Sequence, residues 1–336
     1  MPAFSHIVRA LGPLGLYSAA RGLSRRHPRI LMYHRFSDSV ARGFVSRATL
    51  EWQASLIRRR FHPVSLSQLL EDLRAGTRPA PNTVVVTVDD GYRDFYDIGW
   101  PVLREQGVPA TLFVTTGFVD GTIWLWPDQV AWILDSARSL PEMFVADPVA
   151  VRRSEFERWD KESIWSFLID RLLELPDADK RMAVAALAQS LGLELPDGPP
   201  SDCAAVTWDH LREMQGEGLD VGGHTHTHPV LSRVPLGELS GEIDHCRERL
   251  DAELGWRPRP FCYPNGRPCD FNPSVRDRVE RAGFTGAAVA YADGRPHSDL
   301  YVLARHSAGE SSFHFRKVLS GLDWLGRTLR NGWASG

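Results

Sequence analysis

Four cysteines in 336 residues, Cys203, Cys246, Cys262 and Cys269, leave little for a disulfide framework. None belongs to a C-x-x-C pair or stands at zinc-ribbon spacing, which excludes a small metal-knotted fold. A Cys262–Cys269 bridge has only proximity in its favour, and reduced thiols point to the cytoplasm. No run approaches the roughly 20 apolar residues of a membrane span. A strong charge of either sign is also missing. With 39 basic against 42 acidic residues, the formal net charge of −3 gives no footing for nucleic-acid binding by phosphate neutralisation. What is present, 43% hydrophobic and 24% charged residues, suits a soluble globular chain of one large domain or two modest ones.

Residues 1–28 read as a lead-in. Its apolar part, residues 10–20, follows Arg9 and is interrupted by Gly12, Pro13 and Gly15. It is either a short signal segment or an amphipathic helix whose Arg21, Arg25 and Arg26 face solvent or anionic lipid. Strand and helix patterns then alternate. Residues 29–33 (RILMY) read as a buried strand, and helices are expected from a Thr49 cap to Arg60 and from a Ser65 cap to Ala75. The β-branched run 83–88 (TVVVTV) reads as a strand buried on both faces. A helix to Gln106 and a strand at 110–114 follow. From about 120 to 206 the pattern is mostly helical, with helices at 163–175 and 179–191 and no obvious strand, so this stretch is expected to be an insertion. Alternation resumes with a Thr207-capped helix to Glu217, a strand at 219–222, a helix at 236–254 and a strand at 261–263. A helix near 272–282 and strands at 286–289 and 301–305 complete it. Repeated β–α units predict an α/β fold with a parallel sheet or barrel over residues 29–325, and residues 326–336 read as a tail.

Three clusters carry reactive side chains. Asp89 and Asp90 end the 83–88 strand, and Gly91 permits the turn that lets both carboxylates reach one site. Alone, the triplet is equally an acidic turn with Asp90 capping a helix. The second cluster, GGHTHTHP over 222–229, places His224 and His228 four apart, the spacing that puts two imidazoles on one face of a helical turn. Such a pair with a carboxylate suits a borderline divalent ion, leaving positions open for water. Asp90 would supply that carboxylate, and Asp89 would stay free to act as a base. The third cluster, RPFCYPNG over 259–266, ends a strand in a Pro–Asn–Gly turn whose backbone N–H groups, near Tyr263 and Asn265, could face a developing oxyanion. Trp124 and Trp126 open the insertion and are candidates for stacking on sugar rings.

In this order the clusters resemble those of the NodB-homology polysaccharide deacetylases, carbohydrate esterase family 4. TVDDG at 87–91 is similar to the family's T-F-D-D-G, HTHTH at 224–228 to H-[ST]-x-x-H, and FCYPNG at 261–266 to F-A-Y-P-Y-G. The resemblance covers about residues 29–310. It implies a distorted (β/α)7 barrel that removes N-acetyl groups from amino sugars. Asp89 would be the base, and Asp90, His224 and His228 the ligands of zinc, with cobalt or nickel as alternatives. Cys262 stands where many members carry an arginine that orients the base, leaving Arg259 or Arg305 to substitute. The general acid is expected at His34, because LMYH at 31–34 is similar to a permuted branch whose histidine strand opens the domain. His306 is the second choice. The implied partner is an N-acetylated carbohydrate, with no nucleic acid, no membrane span and at most a peripheral membrane contact. Two rival readings are an amidohydrolase on a small cyclic amide or ureide and a non-catalytic sugar-binding module on the same fold.

Overall fold

The structure, a computed structural model, describes residues 12–292 and 298–334; the first eleven residues of the lead-in and the last two of the tail lie outside the described residues. Among the described residues seven parallel strands form the main path of the sheet: β1 (Arg29–Tyr33), β2 (Thr83–Val88), β3 (Ala110–Val114), β4 (Asp220–Gly223), β5 (Phe261–Cys262), β6 (Ala287–Ala288) and β7 (His306–Ser307). They run in the order β6-β5-β4-β3-β2-β1-β7. The short segment His62–Val64 adds an eighth, parallel to the start of β2. β1 and β2 share the longest ladder, from Arg29 opposite Val84 to Tyr33 opposite Val88. The expected strand at 301–305 does not form as one piece. Leu303 bridges Ala288 beside β6, the Arg305 N–H donates to the Tyr291 carbonyl, and only then do His306 and Ser307 pair with β1. The segment serves two neighbours in turn, which draws the two ends of the sheet together into a distorted barrel.

Alternation along β2 divides its valines. Val84, Val86 and Val88 pack outward with the surrounding helices, and Val85 points inward with Ile30, Phe113, Cys262 and Leu303. Each such side chain, fully buried, contributes about 1.5–3 kcal/mol. Helix Leu66–Arg74 spans the N-terminal end of the barrel with Leu66, Leu69 and Leu70. Its Leu66 N–H donates to Thr111 Oγ1 (2.9 Å), and Ser67 bonds Asp220 at the start of β4. The opposite end, where the strands finish, is left for chemistry.

Helix Arg47–Arg60 starts earlier than expected: Ser46 caps it by accepting the Thr49 N–H, and the Thr49 hydroxyl bonds Glu310 instead. The long helix after β4 runs Leu239–Leu254, its expected first turn being 3-10. Between β3 and β4, helices Trp126–Ser136, Lys161–Leu172 and Asp177–Ser190 share a hydrophobic cluster of their own, including Val130, Ile133, Leu168 and Leu187. Contrary to expectation this stretch contains strands. Met143–Ala146 and Val149–Arg152 pair antiparallel, and Phe144, Ala146 and Val151 face the cluster. Four-residue strands give too short an alternation to be read against helical flanks.

Candidate metal centre and active site

Strand alternation would place Asp89 and Asp90 on opposite faces. Asp89 continues the inward series of Val85 and Thr87, and its N–H still donates to the Tyr33 carbonyl. Asp90 then takes a left-handed φ of 77°, followed by Gly91 at 95°, which swings its carboxylate back over the barrel mouth. The histidine loop uses the same device. It is not the helical turn its spacing suggested: Thr225 (φ 66°) and His228 (φ 63°) fold it back, and Thr225 Oγ1 accepts the His228 N–H. Four of the five non-glycine residues with positive φ among the described residues lie at the site, Asp90, Thr225 and His228 in these two loops and Asn265 in the Pro–Asn–Gly turn. Each costs of order 1–3 kcal/mol, and strain concentrated this way marks a functional site.

The loops bring the expected ligands together. Asp90 Oδ1 lies 3.4 Å from His224 Nε2 and 3.4 Å from His228 Nε2, all three side chains being largely buried. Two donors each about 2.1 Å from one ion at a tetrahedral angle stand ~3.4 Å apart, so the set fits a divalent cation. His224 Nδ1 donates to the Cys262 carbonyl (2.7 Å), which fixes the ring and leaves Nε2 free to ligate. His226 faces away, bonded to Thr116 and packed on His245. Burial pushes the Asp90 carboxyl up, but hydrogen bonds from His224 and His228 hold it well below the usual carboxylate range.

Asp89 sits beside this set but is held differently. Arg305 Nη1 and Nη2 donate to its two oxygens at 2.6 and 2.7 Å. Burial alone would raise the Asp89 carboxyl, and the guanidinium brings it below its usual value. Arg305 is steadied by Thr87 Oγ1 and the Val289 carbonyl, and its Nη2 lies 3.0 Å from Cys262 Sγ. The small thiol at position 262 leaves room for an arginine from the neighbouring segment. Arg259 does not take this place: its guanidinium donates to the Val221 and Gly255 carbonyls, away from Asp89. Cys262 and Cys269 are both free thiols, so no bridge joins them.

His34 Nε2 lies 3.8 Å from Asp89 Oδ2 with its side chain 45% exposed at the barrel mouth. The alternative, His306, is buried against Asp323 and lines no part of the site. Tyr263 follows the inward Cys262 and therefore points outward, stacking on Phe271 and donating to the Tyr301 carbonyl. Tyr263 still borders the cavity, but its backbone N–H donates to the Ala288 carbonyl and its hydroxyl to Tyr301, so neither donor is free for an oxyanion. Asn265 does reach the site: its turn (φ 58°) lines the cavity, and its amide Nδ2 is buried without a protein partner.

These groups line one cavity of about 460 Å³. The stretch between β3 and β4 walls it with Trp126, Asp128, Trp165, Ile169 and Leu173. Trp126 is therefore at the site, whereas Trp124 lines a neighbouring cavity. Sequence reasoning missed Trp165, Asp128, Tyr92 and Arg35. Tyr92 directly follows TVDDG and Arg35 directly follows LMYH, a signal that was there to use; Asp128 and Trp165 carried none. The Tyr92 hydroxyl donates to Asp128 Oδ2 (2.7 Å), and Arg35 stacks 3.9 Å over the Tyr92 ring while bonding Asp94. Burial lifts the Asp128 carboxyl to about 6 despite the Tyr92 bond. A carboxyl raised on folding weakens the fold as pH climbs from about 4 through 6. Asp128→Asn keeps an acceptor for Tyr92 and is expected to raise stability by about 1–3 kcal/mol at pH 8 and by nothing at pH 4. Denaturant titrations at the two pH values check this, and equal effects at both would refute it.

Metal-type ligands and a held carboxylate at the C-terminal mouth of a parallel barrel define a hydrolase of the metal-assisted kind. The sequence profile of polysaccharide deacetylases matches residues 76–148 and 171–287, more than half of the chain. The chain belongs to the polysaccharide deacetylase family. The Streptococcus pyogenes deacetylase PplD, solved in complex with acetate, is similar in fold, with a TM-score of 0.58 at 16% identity over 88% of this chain and 97% of that one. IcaB from Ammonifex degensii gives 0.57 at 17% identity, again over 88% and 97%. Among curated sequences, Bacillus subtilis YlxY is 27% identical over 55 residues, 16% of this chain and 17% of that protein. The chain spans less than a third of the length of the curated relatives it matches.

Proposed function

We propose that the protein hydrolyses the N-acetyl amide of an amino-sugar glycan or glycolipid, releasing acetate and leaving a free amine. The observation that carries this reading is the convergence of Asp90, His224 and His228 beside an Arg305-held Asp89 in one cavity. Asp90 and the two histidines would hold the cation, with zinc as the first choice and cobalt or nickel accepted by the same ligands. When bound, such an ion supplies Lewis acidity and lowers the pKa of water from 15.7 towards ~7.

The chain's own residues account for the proton movements. Asp89 accepts a proton from the attacking water as its oxygen bonds the acetyl carbon. The backbone turn at Asn265 is placed for the charge that develops on the carbonyl oxygen. His34, on the side of Asp89 open to solvent, donates a proton to the nitrogen as the C–N bond breaks. The reading of His34 as the acid also fits the permuted branch, whose histidine strand comes first.

Trp126 and Trp165 offer apolar walls to a sugar ring. The cavity continues past His34 and Arg35 into a second one of about 590 Å³, lined also by Phe44 and Glu310, which favours an extended glycan over a small cyclic amide. Four free thiols support placement in the reducing cytoplasm. No helix among the described residues is long and apolar enough to cross a membrane, and a peripheral lipid contact through the lead-in helix joins this reading. Acetate release from a panel of N-acetylated glycans is the test. Turnover is expected on at least one oligosaccharide, lost with chelator and regained with zinc. Release from cyclic amides alone would overturn the glycan assignment.

A further inference from the structure

The chain carries a slight negative charge overall, yet a group of arginines without an ion-pair partner gathers at the N-terminal end of the barrel. Helix Arg47–Arg60 runs down from the catalytic mouth and ends in Arg58, Arg59 and Arg60, all exposed. Arg25 and Arg26 precede β1, and Arg78 precedes β2. Backbone bonds hold these turns together, Asn82 N–H to the Arg25 carbonyl, with Arg26 reaching the Pro79 carbonyl. Among the described residues none of these six arginines has a carboxylate within ion-pair distance.

Beside them lies a cavity of about 270 Å³ between helices Tyr17–Leu23, Arg47–Arg60 and Ser312–Ser320. Arg21, Arg60 and Arg316 line it together with Tyr17 and Ser18, and among the described residues no acidic side chain lines it. Arg21 lies over the Phe61 ring (5.8 Å) and Arg316 over the Trp52 ring (5.0 Å), which holds two of the guanidiniums in place. Next to Arg21, Arg29 is buried with its Nε unpartnered; burial and Arg21 lower it to about 10. Cations crowded into one concavity repel each other unless an anion joins them. On the same helix as Arg21, Leu23 projects with 79% of its surface exposed, beside Arg25 and Arg26. A dissolved anion gives that leucine nothing to do, whereas a bilayer gives it an apolar layer.

We propose that the cavity between Arg21, Arg60 and Arg316 is a phosphate site for the headgroup of an anionic phospholipid, through which the barrel docks on a membrane. The arginines stand at the N-terminal ends of the strands and the catalytic cavity at the C-terminal ends, so the docked protein turns its cleft away from the bilayer. The glycan it serves would then extend from the surface rather than lie within it.

Sedimentation of the full chain with vesicles tests this. Binding is expected to phosphatidylcholine vesicles containing phosphatidylglycerol, not to phosphatidylcholine alone, and is expected to weaken with salt. Each arginine removed is expected to lower partitioning about fivefold, so the triple variant R21Q/R60Q/R316Q loses roughly 100-fold with an unchanged circular dichroism spectrum. Leu23→Ser is expected to weaken binding without touching the charge. If the triple variant fails to fold, R316Q alone, at an exposed position, must still show the fivefold loss. Wild-type binding by either variant overturns the proposal. So does a wild type whose thermal midpoint rises with inorganic phosphate but which ignores the vesicles, because that marks a pocket for a dissolved anion. None of these readouts depends on turnover.

Discussion

Replacing His228 with alanine is expected to remove bound metal and acetate release together. Its Nε2 is one of three donors around a common point, 3.4 Å from Asp90 Oδ1. Partners that merely orient a ligand are worth 10–100-fold in metal affinity, so loss of a ligand itself should exceed ~100-fold. Asp90→Ala should behave alike and add a stability effect of its own. Burial would raise the Asp90 carboxyl, but the imidazoles draw it far down. Its contribution to the fold is therefore present above the unfolded value near 4 and is lost as pH falls towards its folded one. Metal content by mass spectrometry, together with the shift in thermal midpoint on adding zinc, separates these effects. A His228→Ala protein that still binds one equivalent and turns over would remove the metal centre from the account.

Much of this arrangement was legible because the motifs are local. A β-branched run ending in Asp-Asp-Gly announces both a strand and its reactive end, and histidines four apart announce a pair. The spacing did not reveal how the pair is presented. In a helix His224 and His228 would share a face; here left-handed residues at 225 and 228 bring them together in a loop. Backbone strain is invisible when only glycines are searched for positive φ. The partner of Asp89 was also ambiguous. Arg259 and Arg305 are equally plausible by position, and only the split of residues 301–307 between β6 and β1 decides which one turns inward. The cavity wall was the least accessible part. Trp165 and Asp128 belong to helices with their own cluster, and nothing in a 3.6-residue pattern says that the edge of that cluster overlooks the barrel mouth.

Asp89→Asn and Arg305→Gln are expected to fail in opposite ways. The amide in Asp89→Asn keeps the shape and the metal but cannot take a proton, and the rate is expected to fall by roughly 10²–10⁴-fold. Arg305→Gln leaves the base in place and removes what keeps it ionised. A buried carboxylate stripped of its cation costs about 3–5 kcal/mol of stability, and burial then dominates and drives its pKa upward. The acid limb of the pH–rate profile should therefore move to higher pH, with activity partly recovered under alkaline conditions. Arg305→Lys restores the charge but not the paired geometry, so it should lie between wild type and Arg305→Gln in both stability and the position of that limb. Asp89→Asn offers no such recovery at any pH. An acid limb that stays where it is in Arg305→Gln would mean that Arg305 merely packs beneath the site. Full activity in Asp89→Asn would mean that the proton leaves by another route, and His34, 3.8 Å away and open to solvent, would be the first group to test.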